Sequence, residues 1–172
     1  DPRLGAAQQL DPTLPPNFRY LASLSGRQLR SQSQDAGTAV RLYDVEGGPI
    51  WQRASRQQYT RWRYDVLHRP TLMVEQAAVG EPERISERYT YADGSALAAA
   101  ANGRGRLVAH YDTAGLNEIP RYSLSGQVQL SVRRLLRAEV PASDWQGDAT
   151  AWETALEEQA YSSRQGFDAL GR

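Results

Sequence analysis

Tyr43-Asp44-Val45-Glu46-Gly47 is the stretch that decides the fold, because variants of it recur along the chain. They are Tyr64-Asp65-Val66-Leu67-His68-Arg69, Tyr111-Asp112-Thr113-Ala114-Gly115, Tyr122-Ser123-Leu124-Ser125-Gly126-Gln127 and Phe167-Asp168-Ala169-Leu170-Gly171-Arg172. A looser copy is Ala22-Ser23-Leu24-Ser25-Gly26-Arg27. In each, Asp or Ser opens a turn by accepting from the backbone two residues on, and Gly closes it by taking a left-handed conformation at little cost. Asp44, Asp65, Asp112 and Asp168 recur at one turn position, as backbone capping demands and as a single-copy catalytic residue would not.

Measured at the Gly position, successive copies lie 21 residues apart from Gly26 to Gly47 and from Gly47 to His68, then 47 to Gly115, 11 to Gly126 and 45 to Gly171. A degenerate copy, Tyr91-Ala92-Asp93-Gly94, falls inside the first long gap. One unit of about 21 residues accounts for most of the spacing.

Between the turns the residues alternate with period two. Trp62 and Tyr64 fall opposite Arg61 and Arg63, Tyr89 and Tyr91 opposite Arg88 and Thr90, and Val128, Leu130 and Val132 opposite Gln127, Gln129 and Ser131. Leu107, Ala109 and Tyr111 share a face in the same way. The unit is strand, turn, strand, and the expected fold is mainly β, built of tandem antiparallel hairpins.

Two segments break the rhythm. Ser95 to Asn102 is alanine-rich and reads as a short helical turn or loop. From Asp144 a polar start with Gly147 leads into a stretch where Trp152, Ala155 and Leu156 share a face at helical spacing, which predicts a helix inserted near 149–160. Pro2, Pro12, Pro15 and Pro16 argue for a connecting segment over 1–18, with hairpin repeats over 19–172 and no internal boundary.

Composition narrows the function. Twenty basic and twenty acidic side chains give zero formal charge, too weak a field to hold a phosphate backbone or an anionic bilayer. All twenty basic residues are arginine, a bias expected first of a GC-rich bacterial genome. Cysteine is absent, so no disulfide framework or cysteine-ligated metal site is expected. No run approaches 18 apolar residues, and the opening Asp1-Pro2-Arg3-Leu4 has neither initiator Met nor the pattern of a signal peptide, so it reads as the start of an excised piece.

The repeat resembles the YD or Rhs repeat of bacterial polymorphic toxins, Tyr-Asp-x-x-Gly-Arg followed by an apolar strand, with Tyr43 to Gly47 and Phe167 to Arg172 as good matches. A narrower resemblance is to the amino-terminal region of C components (TccC type) of insecticidal toxin complexes. It is carried by Asp1-Pro2-Arg3-Leu4, His110-Tyr111-Asp112-Thr113-Ala114-Gly115-Leu116-Asn117, Ser123-Leu124-Ser125-Gly126-Gln127 and Asp144-Trp145-Gln146-Gly147, in order along nearly the whole chain. Departures are His68 for the turn Gly, Gly48 and Leu116 for the following Arg, and Ala92 for Asp.

The resemblance implies a curved, shell-like sheet. With a B component and the remainder of the C component it encloses a toxic carboxy-terminal part until delivery through an A-component pore, in a secreted or released complex. It implies no enzymatic activity here, because the family's self-cleaving aspartates and toxic domain find no match. It implies no cofactor, no nucleic acid partner and no direct membrane insertion.

Residues that could carry other chemistry have plainer structural readings. His68 at a turn and His110 on a strand lack metal-motif spacing. Ser25 and Ser125 lack a nucleophile elbow. Glu153, Glu157 and Glu158 read as a solvated helix face. The alternative function is a self-contained cell-surface or carbohydrate-binding module that presents Trp51, Trp62, Tyr64 and Tyr89 to sugars.

Overall fold

A computed structural model describes residues 16–168. They form eleven strands and two short helices: β1 (Phe18–Ala22), β2 (Gln28–Ser33), β3 (Gly37–Tyr43), β4 (Pro49–Arg53), β5 (Tyr59–Tyr64), β6 (Pro70–Gln76), β7 (Arg84–Tyr91), α1 (Ala96–Ala100), β8 (Leu107–Asp112), β9 (Gly115–Tyr122), β10 (Val128–Leu136), α2 (Ala149–Ala155) and β11 (Leu156–Arg164). Sheet order is chain order, β1 to β11, an antiparallel meander. Where the turns are short the order follows from them, because a three-residue loop can join only adjacent antiparallel strands.

The chain divides into two compact units, residues 16–62 with 75–82, and 63–74 with 83–168. In the first, registers run through Arg30↔Val40, Val40↔Arg53 and Arg53↔Tyr59, so that Leu21, Arg30, Val40, Arg53 and Tyr59 form one cross-strand row. No strand residue of β1 to β4 is fully buried, and β1 is exposed throughout.

The second unit contains the core. Leu116, Trp145 and Leu156 are buried, with Ile85, Ala109, Tyr111, Leu136, Trp152 and Ala155 packed around them. Trp145 and Leu156 come from the segment between β10 and β11 and its end, which folds back over the sheet. A meander alone has no second layer, so this excursion supplies one locally.

The structure departs from the sequence reading in two places and decides one choice that the reading left open. The inserted helix is α2 only, capped by Asp148, whose carboxylate accepts from the Ala151 amide at 3.1 Å. It stops at Ala155, and the expected helical residues 156–160 are strand. Leu156 reaches the core from an extended backbone paired with Leu136, and that burial and pairing outweigh the local helical pattern. The alanine-rich stretch forms α1, with the Ser95 hydroxyl accepting from the Ala98 amide. Finally β1 begins at Phe18, inside the expected connecting segment, the earlier part of which lies outside the described residues.

Candidate functional site

The turns that recur in sequence share one backbone geometry. Ser23, Asp44, Asp65 and Ser123 each donate their amide to the carbonyl four residues on and accept from the amide three residues on, closing a three-residue loop. The third loop residue has positive φ: 81° at Gly26, 97° at Gly47, 59° at His68 and 90° at Gly126. This is a type I turn followed by a left-handed residue.

The capping side chains add bonds of their own. Asp44 Oδ1 accepts from the amides of Glu46, Gly47 and Gly48 at 3.0, 2.7 and 2.8 Å. Asp65 Oδ1 accepts from Leu67 and Arg69, and the Ser23 and Ser123 hydroxyls accept from Arg27 and Gln127. Bonds from the Arg69 side chain and amide hold the Asp65 carboxyl below the usual range. At His68 the strain of a non-glycine left-handed residue is offset by its ring stacking on Tyr64 at 4.7 Å.

Two turns of this kind are not visible in the motif. Ala54 and Gln58 close an identical loop through Ser55, Arg56 and Gln57, with Gln57 at φ 69°. The degenerate copy closes differently from its sequence: Ala92 pairs with Arg106, and Gly105 rather than Gly94 is the left-handed residue, at φ 68°. Helix α1 is thus an insertion within a single hairpin turn, which lengthens the spacing to Gly115.

The Tyr111-Asp112 copy is a tighter hairpin. Asp112 pairs with Gly115 across the two-residue loop Thr113-Ala114, and Asp112 Oδ1 accepts from the Ala114 amide at 2.8 Å. Gly115 lies inside β9, where a Cβ would strike the Arg134 backbone carbonyl. The Asp112 carboxylate forms a bidentate pair with Arg133, both distances 2.7 Å. Burial pushes this carboxyl up, but Arg133 and the Ala114 amide outweigh it and hold it low, while the same pairing raises Arg133.

The role of the residue after the turn glycine emerges only in three dimensions. Arg27 donates from its guanidinium to the Glu46 carbonyl of the next turn on the same edge at 3.2 Å and packs on Gly47. Arg69 donates to the Gly105 carbonyl at 3.0 Å and lies 4.2 Å over the Tyr91 ring. Arg106 packs on Gly126 and 5.3 Å over the Tyr122 ring. Each arginine ties its hairpin to the following one, and Gly47 and Gly126 leave room for Arg27 and Arg106. The signal for it in the sequence is the Arg that follows the turn Gly in the motif.

Tyr122 is buried and donates to the Leu107 carbonyl at 2.5 Å, and burial raises its pKa. Tyr43, Asp44 and Gly47 are half-buried at the β3–β4 turn. Phe167 and Asp168 follow β11 without regular structure, and Gly171 lies outside the described residues.

The two sequence blocks around Tyr111 and Trp145 meet. The Trp145 indole donates to the Asp112 carbonyl at 3.1 Å, and its ring packs 5.0 Å from Tyr111, which meets Trp152 edge-on at the same distance. The segment between β10 and β11 forms a strap fixed to β7: the Trp145 amide donates to the Ile85 carbonyl, the Ile85 amide to Asp144 Oδ1, and the Ser143 hydroxyl to the Ser86 carbonyl. Arg88 donates twice to the Trp145 carbonyl, at 3.2 and 3.0 Å, and stacks 4.5 Å over Trp152. Burial lowers its pKa.

His110 and Glu87 pair at 2.8 Å beneath the Tyr89 ring, whose hydroxyl also bonds to Glu87; burial, then that bond, pushes the Tyr89 pKa well up. His68 stacks on Tyr64 and His110 pairs with Glu87, and no group of three His, Cys, Asp or Glu among the described residues is placed to hold a metal ion. Trp51, Trp62, Tyr64 and Tyr89 sit half-buried in strands. Among the described residues no helix is long and apolar enough to cross a membrane.

A mainly β sheet that grows hairpin by hairpin, with capped Tyr-Asp turns and arginine ties, is a YD/Rhs-type hairpin-repeat structure. Over its length the chain is similar to a segment of toxin-complex C subunits. It is 31% identical over 175 residues to toxin subunit YenC1 of Yersinia entomophaga and 32% identical over 189 residues to toxin subunit YenC2 of the same organism. These alignments span 99% and 96% of this chain but 18% and 19% of the relatives. Among solved structures, TcdB2-TccC3 superposes with a TM-score of 0.90 at 34% identity, and the Photorhabdus luminescens Tc holotoxin pore with 0.91 at 33%. The matches cover 99% and 100% of this chain and 8% of each of those chains. No protein-family model matches the chain.

Proposed function

We propose that this chain is a length of wall in a toxin-complex C component, which with a B component builds a hollow β-shell around a toxic carboxy-terminal segment. The observation that supports the reading is the joining of hairpins by nearest-neighbour ties in a sheet that superposes on part of TcdB2-TccC3 with a TM-score of 0.90. Such a sheet extends by addition of like units, and each added hairpin pairs the edge left by the last.

The chain itself performs no chemistry in this reading. Its polar clusters are engaged in structure: Asp112 with Arg133, Glu87 with His110 and Tyr89, and Glu153 with Arg134 at 2.6 Å. Its partners are the B component and the rest of the C component, and indirectly an A-component pore, within a complex released from the bacterium.

The test is co-expression of the C component that contains this chain with a toxin-complex B component. A co-purifying particle in which the carboxy-terminal segment resists proteinase K supports the reading. A chain that stays separate from the B component, or that binds glycans on an array as an independent module, overturns it.

A further inference from the structure

Zero net charge conceals an uneven distribution. Between Phe18 and Trp62 the strands carry Arg19, Arg30, Arg41, Arg53 and Arg61 and no Asp or Glu. The carboxylates of that stretch, Asp35, Asp44 and Glu46, all stand in turns, and Asp44 is taken up by turn amides. Glu75 and Glu81 of the same unit belong to residues 75–82 and not to these strands.

Register decides where the cations point. Cross-strand partners share a face, so the row Leu21, Arg30, Val40, Arg53 and Tyr59 puts two arginines on one side of the sheet. Arg19, opposite Gln32 and two residues from Leu21, joins that side, as does Arg61, opposite Trp51 and two residues from Tyr59. Arg41 points to the other side, where its Nε donates to Gln52 Oε1 at 2.9 Å.

Three of the four arginines on the first side are uncommitted. Arg19, Arg30 and Arg53 are exposed, and their guanidinium groups form no hydrogen bond or ion pair among the described residues. Arg61 is engaged, with its guanidinium 5.4 Å over the Tyr59 ring. Arg30 and Arg53 flank Val40 two strands apart, about 9–10 Å, close to the screening length of about 8 Å at physiological salt. Their mutual repulsion is offset by no carboxylate of these strands.

Between the cations the face is aliphatic. Leu21 is 58% and Leu42 45% exposed, and Val40 lies half-buried between Arg30 and Arg53. That alternation sets the chemistry of a partner. A phosphate or sulfate polymer would pair with the guanidinium groups and leave the leucines in water. A base or a sugar ring needs a bare aromatic face, and here Tyr59 lies under Arg61 while Trp51 is half-buried. A polypeptide that intersperses carboxylates with apolar side chains satisfies both halves of the face, since each guanidinium can take a carboxylate through two parallel bonds.

We propose that the Arg19, Arg30 and Arg53 face of the first unit binds an acidic polypeptide segment whose carboxylates are interspersed with apolar residues. The site is built from the chain's own first strands and does not rest on the wall reading.

The test uses the C component that contains this chain and a fluorescein-labelled peptide of repeating Glu-Leu-Glu, followed by fluorescence anisotropy. The expected result is binding that weakens as salt is raised and falls about tenfold in the double variant Arg30→Gln/Arg53→Gln. Arg41→Gln, on the other side of the sheet, should bind as the parent does. Absence of binding, or equal binding by the parent and the double variant, overturns the proposal. Equal affinity for poly-glutamate or for a sulfated oligosaccharide also overturns it, since the face would then be a general anion surface. Co-purification with the B component is read in parallel. A double variant that co-purifies normally but has lost the peptide upholds the proposal, whereas one that no longer co-purifies makes these arginines an assembly contact and overturns it. A parent that binds the peptide but stays apart from the B component upholds the face and sinks the wall reading.

Discussion

Replacing Trp145 by alanine removes the centre of the strap's attachment. The side chain is fully buried among Leu116, Leu156, Tyr111 and Trp152. Truncating a buried tryptophan costs about 3–5 kcal/mol through lost transfer energy and the cavity that remains. Loss of the indole bond leaves the Asp112 carbonyl without that donor, which adds about 1 kcal/mol. The expected total is about 4–6 kcal/mol. Trp145→Phe keeps most of the ring volume and loses the bond, for about 1–2 kcal/mol. Urea unfolding followed by far-ultraviolet circular dichroism measures both without relying on tryptophan emission. Leu124→Ala is the comparison, since a side chain 91% exposed changes stability by less than about 0.5 kcal/mol. A cost below about 1 kcal/mol for Trp145→Ala, or one no larger than that of Leu124→Ala, would refute the reasoning.

Other outcomes follow from the turns and charges. Gly126→Val is expected to lower the urea midpoint more than Gln127→Val, since a β-branched residue resists φ of 90° and its Cβ enters the space of Arg106; equal midpoints would remove the turn argument. Gly115→Ala is expected to cost about 2 kcal/mol or more, because backbone rather than a flexible side chain blocks the new methyl. Asp112 is held below its ordinary 3.8, so its contribution is present above that value and lost as the pH falls through the folded value. Asp112→Asn should therefore cost about 1–2 kcal/mol at neutral pH and progressively less in acid, in urea melts across the pH range. Tyr89, Tyr91, Tyr111 and Tyr122 are raised chiefly by burial, so their contribution is full below the ordinary 10.0 and lost as the pH rises above it. Melting temperature should fall above pH 10, and an unchanged alkaline limb would contradict their burial.

The hairpins were legible because turn chemistry is local. Asp or Ser, two residues and Gly specify a loop almost without regard to surroundings, and period-two alternation filled in the strands. The reading weakened where another part of the chain decides. Ala54 to Gln58 closes the same loop with neither a capping carboxylate nor glycine, so nothing in its side chains marks it. Gly105 replaces Gly94 as the closing residue because α1 folds as a self-contained insert, and only the pairing of Ala92 with Arg106 reveals it. Leu156 looked helical in its own neighbourhood and became strand because β10 and the core claimed it. The arginine ties join residues about 20 to 36 apart, beyond the reach of any turn rule.

The central claim is that these residues are wall. Electron cryomicroscopy of the C component assembled with its B component tests it most directly. The account predicts density for residues 16–168 as a meander within the boundary of a closed chamber. Density for the same residues as a separate body projecting from the particle, with the chamber closed without them, would contradict it.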